Sequence, residues 1–159
     1  MEKELILGEE HREIEILELR AGGNSYGIDI SDIREILPYD KNPRKIPNSH
    51  PYIEGVVMPR DFIIPIIDLI ASLKLEDVED KDNEMLVVTS LNDLNIGLHV
   101  DHVEGIHRTN TENITQVGKI KLTTTERKAI SGILTVEDKK IEILDLPYII
   151  NDINSDVEL

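Results

Sequence analysis

The chain has 159 residues and carries 32 acidic against 17 basic side chains, a net charge of −15. That balance argues against nucleic acid, whose binders carry a basic stripe that displaces counterions from phosphate, and against anionic membrane surfaces, while leaving room for a local basic patch. Cysteine is absent, which excludes disulfide frames and thiolate chemistry, and with no tryptophan and Phe62 as the single phenylalanine there is little material for aromatic ligand cages. No apolar run is long enough to span a bilayer, and the N-terminus lacks the apolar core of a signal peptide, so a cytoplasmic protein without membrane insertion is expected.

In chain order, residues 1–12 are polar and are expected to be a flexible end. A first strand is predicted over 13–19, a turn through residues 21–25, and a second strand from Tyr26. Ser31 is placed to cap a helical turn over residues 31–37. Residues 38–51 carry Pro38, Pro43, Pro47 and Pro51 and read as a loop. A hairpin follows over 53–69, turning at Arg60 and Asp61, and Asp68 caps a short helix. The acidic stretch 76–84 reads as a connection. Strands then start at Met85 and Ile96 around a turn at residues 92–95, and a last hairpin turns at residues 137–139. Asp145 caps a second short helix with Pro147 in its first turn, ahead of a flexible end over 151–159.

The chain repeats itself. Tyr26-Gly-Ile-Asp-Ile-Ser-Asp-Ile-Arg-Glu-Ile36 matches Ile96-Gly-Leu-His-Val-Asp-His-Val-Glu-Gly-Ile106 in pattern, an offset of 70 residues. The hairpin Ile53–Leu69 matches Ile130–Leu146 at an offset of 77, with Ile, Gly, Asp, Ile, Ile, Asp and Leu in register. Short strands at close spacing with little helix predict an all-β fold of small closed barrels. The repeat divides 13–150 into a first subdomain of about 13–75, the connection 76–84 and a second subdomain of about 85–150. Strands are free to cross between the two.

Nothing in the pattern carries catalysis. His99 and His102 point to opposite faces of a strand, and with His107 they read as solvated or interfacial histidines, not as a metal site. The run Asp80–Glu84 lacks the glycine and the closing glutamate of a calcium loop. No Gly-x-Ser-x-Gly or P-loop occurs, and Asp68 and Asp145 read as helix caps. No catalytic residue, metal or cofactor is expected. What remains is surface for protein partners, with Arg60 at a hairpin tip as a candidate anchor.

Tyr26–Ile36, Gly55-Val-Val-Met-Pro-Arg60, Ile64–Leu69, Ile96–Val103, Ser131–Leu134 and Ile141–Leu146 together resemble CheW-like domains over residues 13 to about 150. The second half, through Gly105-Ile-His-Arg108 and Tyr148–Asp152, is most similar to the CheV members. The resemblance implies two five-stranded SH3-like β-barrel subdomains with short helices. It implies a non-catalytic adaptor that couples the cytoplasmic tips of methyl-accepting chemoreceptors to the regulatory domain of the histidine kinase CheA. A regulatory domain excised from CheA and a generic SH3-like protein-binding module are the alternatives. By the same resemblance Ile33, Gly55 and Arg60 match positions of receptor or array contact, Glu35 a position of kinase contact, and Val87 and Val88 fall where receptor contacts are expected. The family usually reads Asn/Gln-Leu-Arg-Gly where this chain has Met58-Pro59-Arg60-Asp61, which places an aspartate at a turn position that favours positive φ.

Overall fold

Three of the hairpins turn on two residues that both have positive φ: Gly22–Gly23, Asn92–Asp93 and Glu137–Asp138. This geometry matches the right-handed twist of the flanking strands, and Gly, Asn and Asp adopt it most readily. The computed structural model describes residues 12–39, 43–47, 49–77, 83–116 and 129–156. Its strands are β1 (Glu13–Ala21), β2 (Asn24–Asp29), β3 (Ile33–Pro38), β4 (Ile53–Val57), β5 (Ile64–Asp68), β6 (Met85–Leu91), β7 (Leu94–Val100), β8 (His102–Asn110), β9 (Ile114–Gln116), β10 (Ile130–Val136) and β11 (Lys139–Leu144). Among the described residues two α-helices, α1 (Leu69–Ser72) and α2 (Leu146–Asp156), each follow the last strand of a copy.

Both sheets draw strands from both copies. One has the order β8-β1-β2-β11-β10-β9 and the other β3-β6-β7-β5-β4. Within each, the third, first, second, fifth and fourth strands of a copy lie side by side, but the first hairpin has been exchanged. Hairpin β1–β2 sits with the strands of the second copy, and β6–β7 with those of the first. The five-stranded sheet is therefore one continuous segment, β3 to β7, inserted between β2 and β8. The chain crosses between the sheets at a 3-10 turn, Ile30–Asp32, and at Asp101, whose carboxylate accepts the Gly22 N–H at 2.9 Å. The other sheet has six strands because the short β9 extends its edge.

The registers of the two sheets coincide under the repeat. Gly27 faces Glu18 on one side and Ile143 on the other; Gly97 faces Val88 and Ile66. Each glycine leaves room for a neighbour: a Cβ on Gly27 would lie 2.6 Å from Ile16 Cγ2, and one on Gly97 2.8 Å from Leu86 Cδ1.

Each sheet curls on a small core of its own. Ile64, Ile66, Leu86 and Val88, with Leu37 and Val57 from the two edge strands, fill one. Ile16, Leu134 and Ile141, with Ile114 and Ile143, fill the other. The larger core lies between the sheets, where Leu17, Leu19, Ile28, Ile67, Val87 and Leu98 meet Leu146, Ile149 and Ile153 of α2. Strands buried on both faces need continuous apolar runs, which β5 and β6 have.

Asp68 and Asp145 cap their helices as the sequence predicts, accepting the N–H groups of Ala71 and Tyr148. Two local readings are corrected. Asp29, not Ser31, caps the turn at Ile30–Asp32, taking both the N–H and the hydroxyl of Ser31, and residues 33–38 continue as a strand because Ile33, Ile36 and Leu37 have a core to pack on. The end expected to be loose from residue 151 is helical as far as Asp156, because Ile149, Ile150 and Ile153 are buried in the shared core. Residues 1–11, 78–82 of the acidic connection and 157–159 lie outside the described residues.

Candidate protein-binding surface

The hairpin tips differ sharply between the copies, and the difference starts at one proline. Val57 pairs with Ile64 in copy one as Leu134 pairs with Ile141 in copy two. In copy two the ladder continues to Val136 and Lys139 and closes in a two-residue turn. In copy one Pro59 stands at the place of Val136 and has no N–H to give the ladder, so pairing stops. The strand ends open into a loop over residues 58–63 that contains a 3-10 turn, Pro59–Asp61, closed by the Phe62 N–H on the Pro59 carbonyl at 3.2 Å. The left-handed residue is Arg60, with φ 52° and ψ 42°, and not Asp61 as the family pattern led one to expect. The opened loop leaves Met58, Phe62 and Ile63 at the surface, Ile63 being 65% exposed, where copy two has Thr135, Lys139 and Lys140.

Strand β3 supplies the other wall of this patch. Arg60 forms an ion pair with Glu35, while 62% of the Arg60 side chain stays exposed. The bond from Arg60 holds the Glu35 carboxyl below the usual carboxylate range. The Arg34 guanidinium lies 5.1 Å from the centre of the Phe62 ring, a cation–π distance. The β3 register shifts between Ile33 and Glu35, a bulge that lets both Arg34 and Glu35 serve the tip.

The remaining candidates occupy different surroundings. Ile33 is half-buried beside the shared core. Gly55 is buried beneath Arg44, whose N–H and C=O bridge to Val56 at 3.0 and 2.7 Å; a Cβ on Gly55 would lie 2.5 Å from the Arg44 carbonyl oxygen. Val87 and Val88 are 0% exposed. Val87 points into the core between the sheets and Val88 into the core of its own barrel. Their side chains are packing residues here, and a partner approaches them only across β3, which pairs with β6 at Glu35 and Ile36.

The histidines are not alike. His102 is half-exposed, but His99 lies largely buried between Glu54 and Glu84, and His107 is 2.7 Å from the buried Glu18. Reading all three as solvated or interfacial is corrected for His99. Its partners stand 45 and 15 residues away in sequence, beyond the reach of strand parity. Among the described residues, no group of three His, Asp or Glu is placed to hold a metal ion, and no helix is long and apolar enough to cross a membrane.

Comparison with known proteins covers nearly the whole of this architecture. The family model described as CheW-like domain matches residues 15–154. Chemotaxis protein CheV3 of Helicobacter pylori is 29% identical over 151 residues, covering 89% of this chain and 48% of that protein, so the chain spans about half of its length. Chemotaxis protein CheW of Klebsiella aerogenes is 27% identical, covering 86% of this chain and 81% of its own. Chemotaxis protein CheW of Thermotoga maritima is 28% identical, with coverages of 89% and 91%. The crystal structure of the scaffolding protein TtCheW from Thermoanaerobacter tengcongensis matches with a TM-score of 0.75 at 26% identity, covering 84% of this chain and 89% of that one.

Proposed function

The chain belongs to the CheW-like domain family, and from that premise we propose that it is a non-catalytic chemotaxis adaptor that couples chemoreceptor tips to the regulatory domain of the kinase CheA in the cytoplasm. The observation that carries this reading is the tip of the β4–β5 hairpin. There an Arg60–Glu35 ion pair is set among exposed apolar side chains, the composition of an interface anchor with its rim. Ile33 on β3 and the buried Gly55 on β4 are contact or support positions in the same reading, and Val87 and Val88 back β3 as the strand neighbours of Ile36 and Glu35.

The two copies also carry opposite charges at matched places. Arg34 and Arg60 of the first correspond to Glu104 and Glu137 of the second, and all four are exposed. Ends of opposite charge on a pseudo-symmetric body favour joining a similar double barrel in one orientation over the reverse. Titration calorimetry of the purified chain against a receptor signalling-tip fragment and, separately, the kinase regulatory domain tests the proposal. Binding to both is expected; binding to neither overturns it.

A further inference from the structure

His99 sits between two carboxylates. Its Nδ1 lies 2.6 Å from Glu54 Oε2 on β4, and its Nε2 lies 2.6 Å from Glu84 Oε1, just before β6. The ring stacks on Tyr39 with centroids 3.5 Å apart and planes 4° apart, and the Tyr39 hydroxyl donates to the other oxygen of Glu54. Asp68 of β5 is the Cα partner of His99, and Lys45 shares a cleft of about 370 Å³ with Tyr39 and Glu54. A neutral imidazole has one N–H and one lone pair. It can satisfy one of these carboxylates but must set a lone pair against the other at hydrogen-bond distance. The observed geometry, with both carboxylates ionised, therefore requires the imidazolium.

Glu54 immediately precedes Gly55 and Val56, the point where residues 43–47 cover the outer edge of β4 through the Arg44–Val56 bridge. Pro43, Lys45 and Ile46 of that covering segment line the cleft whose floor is Tyr39 and Glu54. We propose that His99 is a proton-operated clamp that holds residues 43–47 over the β4 edge and releases that edge when the imidazolium is lost. Released, the edge leaves the Val56 N–H and C=O without their Arg44 partners. The repeat does not duplicate the device: Asp29 stands at the place of His99 and Ser131 at that of Glu54, so it belongs to one barrel only.

The direction of the response follows from the surroundings. Burial alone would depress the imidazolium, but the bonds and charges of Glu54 and Glu84 outweigh it and hold the His99 pKa above its ordinary value. The clamp is closed below the raised value and opens as pH rises through it.

NMR titration of the ring nitrogens, with amide exchange of Arg44 and Val56 expressed as protection factors, tests the proposal on the intact chain. His99 is expected to titrate above the ordinary imidazole range, with protection of both amides falling several-fold over the same range. Glu84→Gln, which keeps the shape but removes one carboxylate, is expected to shift both events to lower pH, and His99→Gln to make protection independent of pH. Titration of His99 at or below the ordinary imidazole value, or protection that stays constant across the His99 transition, would overturn the clamp.

Discussion

Glu18 stands in one barrel where Val88 stands in the other: each is the cross-strand neighbour of its repeat's glycine, and both are buried, to 2% and 0% exposure. The exchange is compensated. His107 takes the place of Leu37 and bonds one Glu18 oxygen, while Lys139 bonds the other at 2.9 Å. An apolar contact has become a buried charge with three partners, the third being Ser25.

Removing the charge alone is therefore expected to cost stability. Glu18→Val leaves His107 and Lys139 without their acceptor and is expected to destabilise by about 1–3 kcal/mol. The double change Glu18→Val, His107→Leu restores the packing of the other barrel and is expected to recover most of that loss, since replacing a buried ionic pair by apolar residues of fitting shape is often neutral or better. Denaturant unfolding of the three proteins measures the coupling. Burial raises the Glu18 pKa, but the bonds from His107, Lys139 and Ser25 outweigh it and leave the value lowered. A depressed carboxylate adds stability above its unfolded pKa and loses it as pH falls through the folded one, so the advantage of wild type over Glu18→Gln is expected to shrink on acidification.

The paired glycines differ in what crowds them. The atom facing Gly27 belongs to Ile16, β-branched and stiff at χ1, whereas the atom facing Gly97 is the far end of Leu86. Gly27→Ala is expected to cost about 2–3 kcal/mol and Gly97→Ala about 1 kcal/mol, by overpacking that Leu86 can relieve by shifting. Thermal melts of the two variants check the order, and a larger loss at Gly97 would contradict it.

Asp93 has φ 67° in a two-residue hairpin turn after Asn92. Asp93→Gly creates the Asn-Gly pair this turn favours and is expected to stabilise by about 0.5–1 kcal/mol with no change in binding. Chemical denaturation reads the gain.

The repeat, the helix caps at Asp68 and Asp145 and the all-β class were legible because they rest on local signals: strand alternation, turn residues and a carboxylate before a helix. The departure at Met58-Pro59-Arg60-Asp61 was visible, although which residue would take the left-handed conformation was not, because Arg60 has no intrinsic preference for it. The exchange of hairpins left no local trace, since a strand's pattern records which face is buried and not which strand lies beside it. Val87 and Val88 illustrate the same limit: adjacent strand residues point to opposite faces, and only the packing of β6 between two cores shows that both are covered. The His99 cluster brings together residues from β4, β7 and the start of β6, a meeting set by topology alone.

Recruitment of the kinase to receptor-bearing vesicles, measured by co-sedimentation with and without this chain, tests the adaptor role most directly. The kinase is expected to pellet with the receptors only when the chain is present. Arg60→Glu sets two carboxylates against each other at the Glu35 pair, and this variant is expected to unfold within about 0.5 kcal/mol of wild type, as exposed changes do. It is also expected to weaken recruitment by about 2 kcal/mol, the size of a lost interface anchor. Recruitment that is independent of the chain, or undiminished by Arg60→Glu in a folded variant, would contradict the adaptor role or its placement at the β4–β5 tip, respectively.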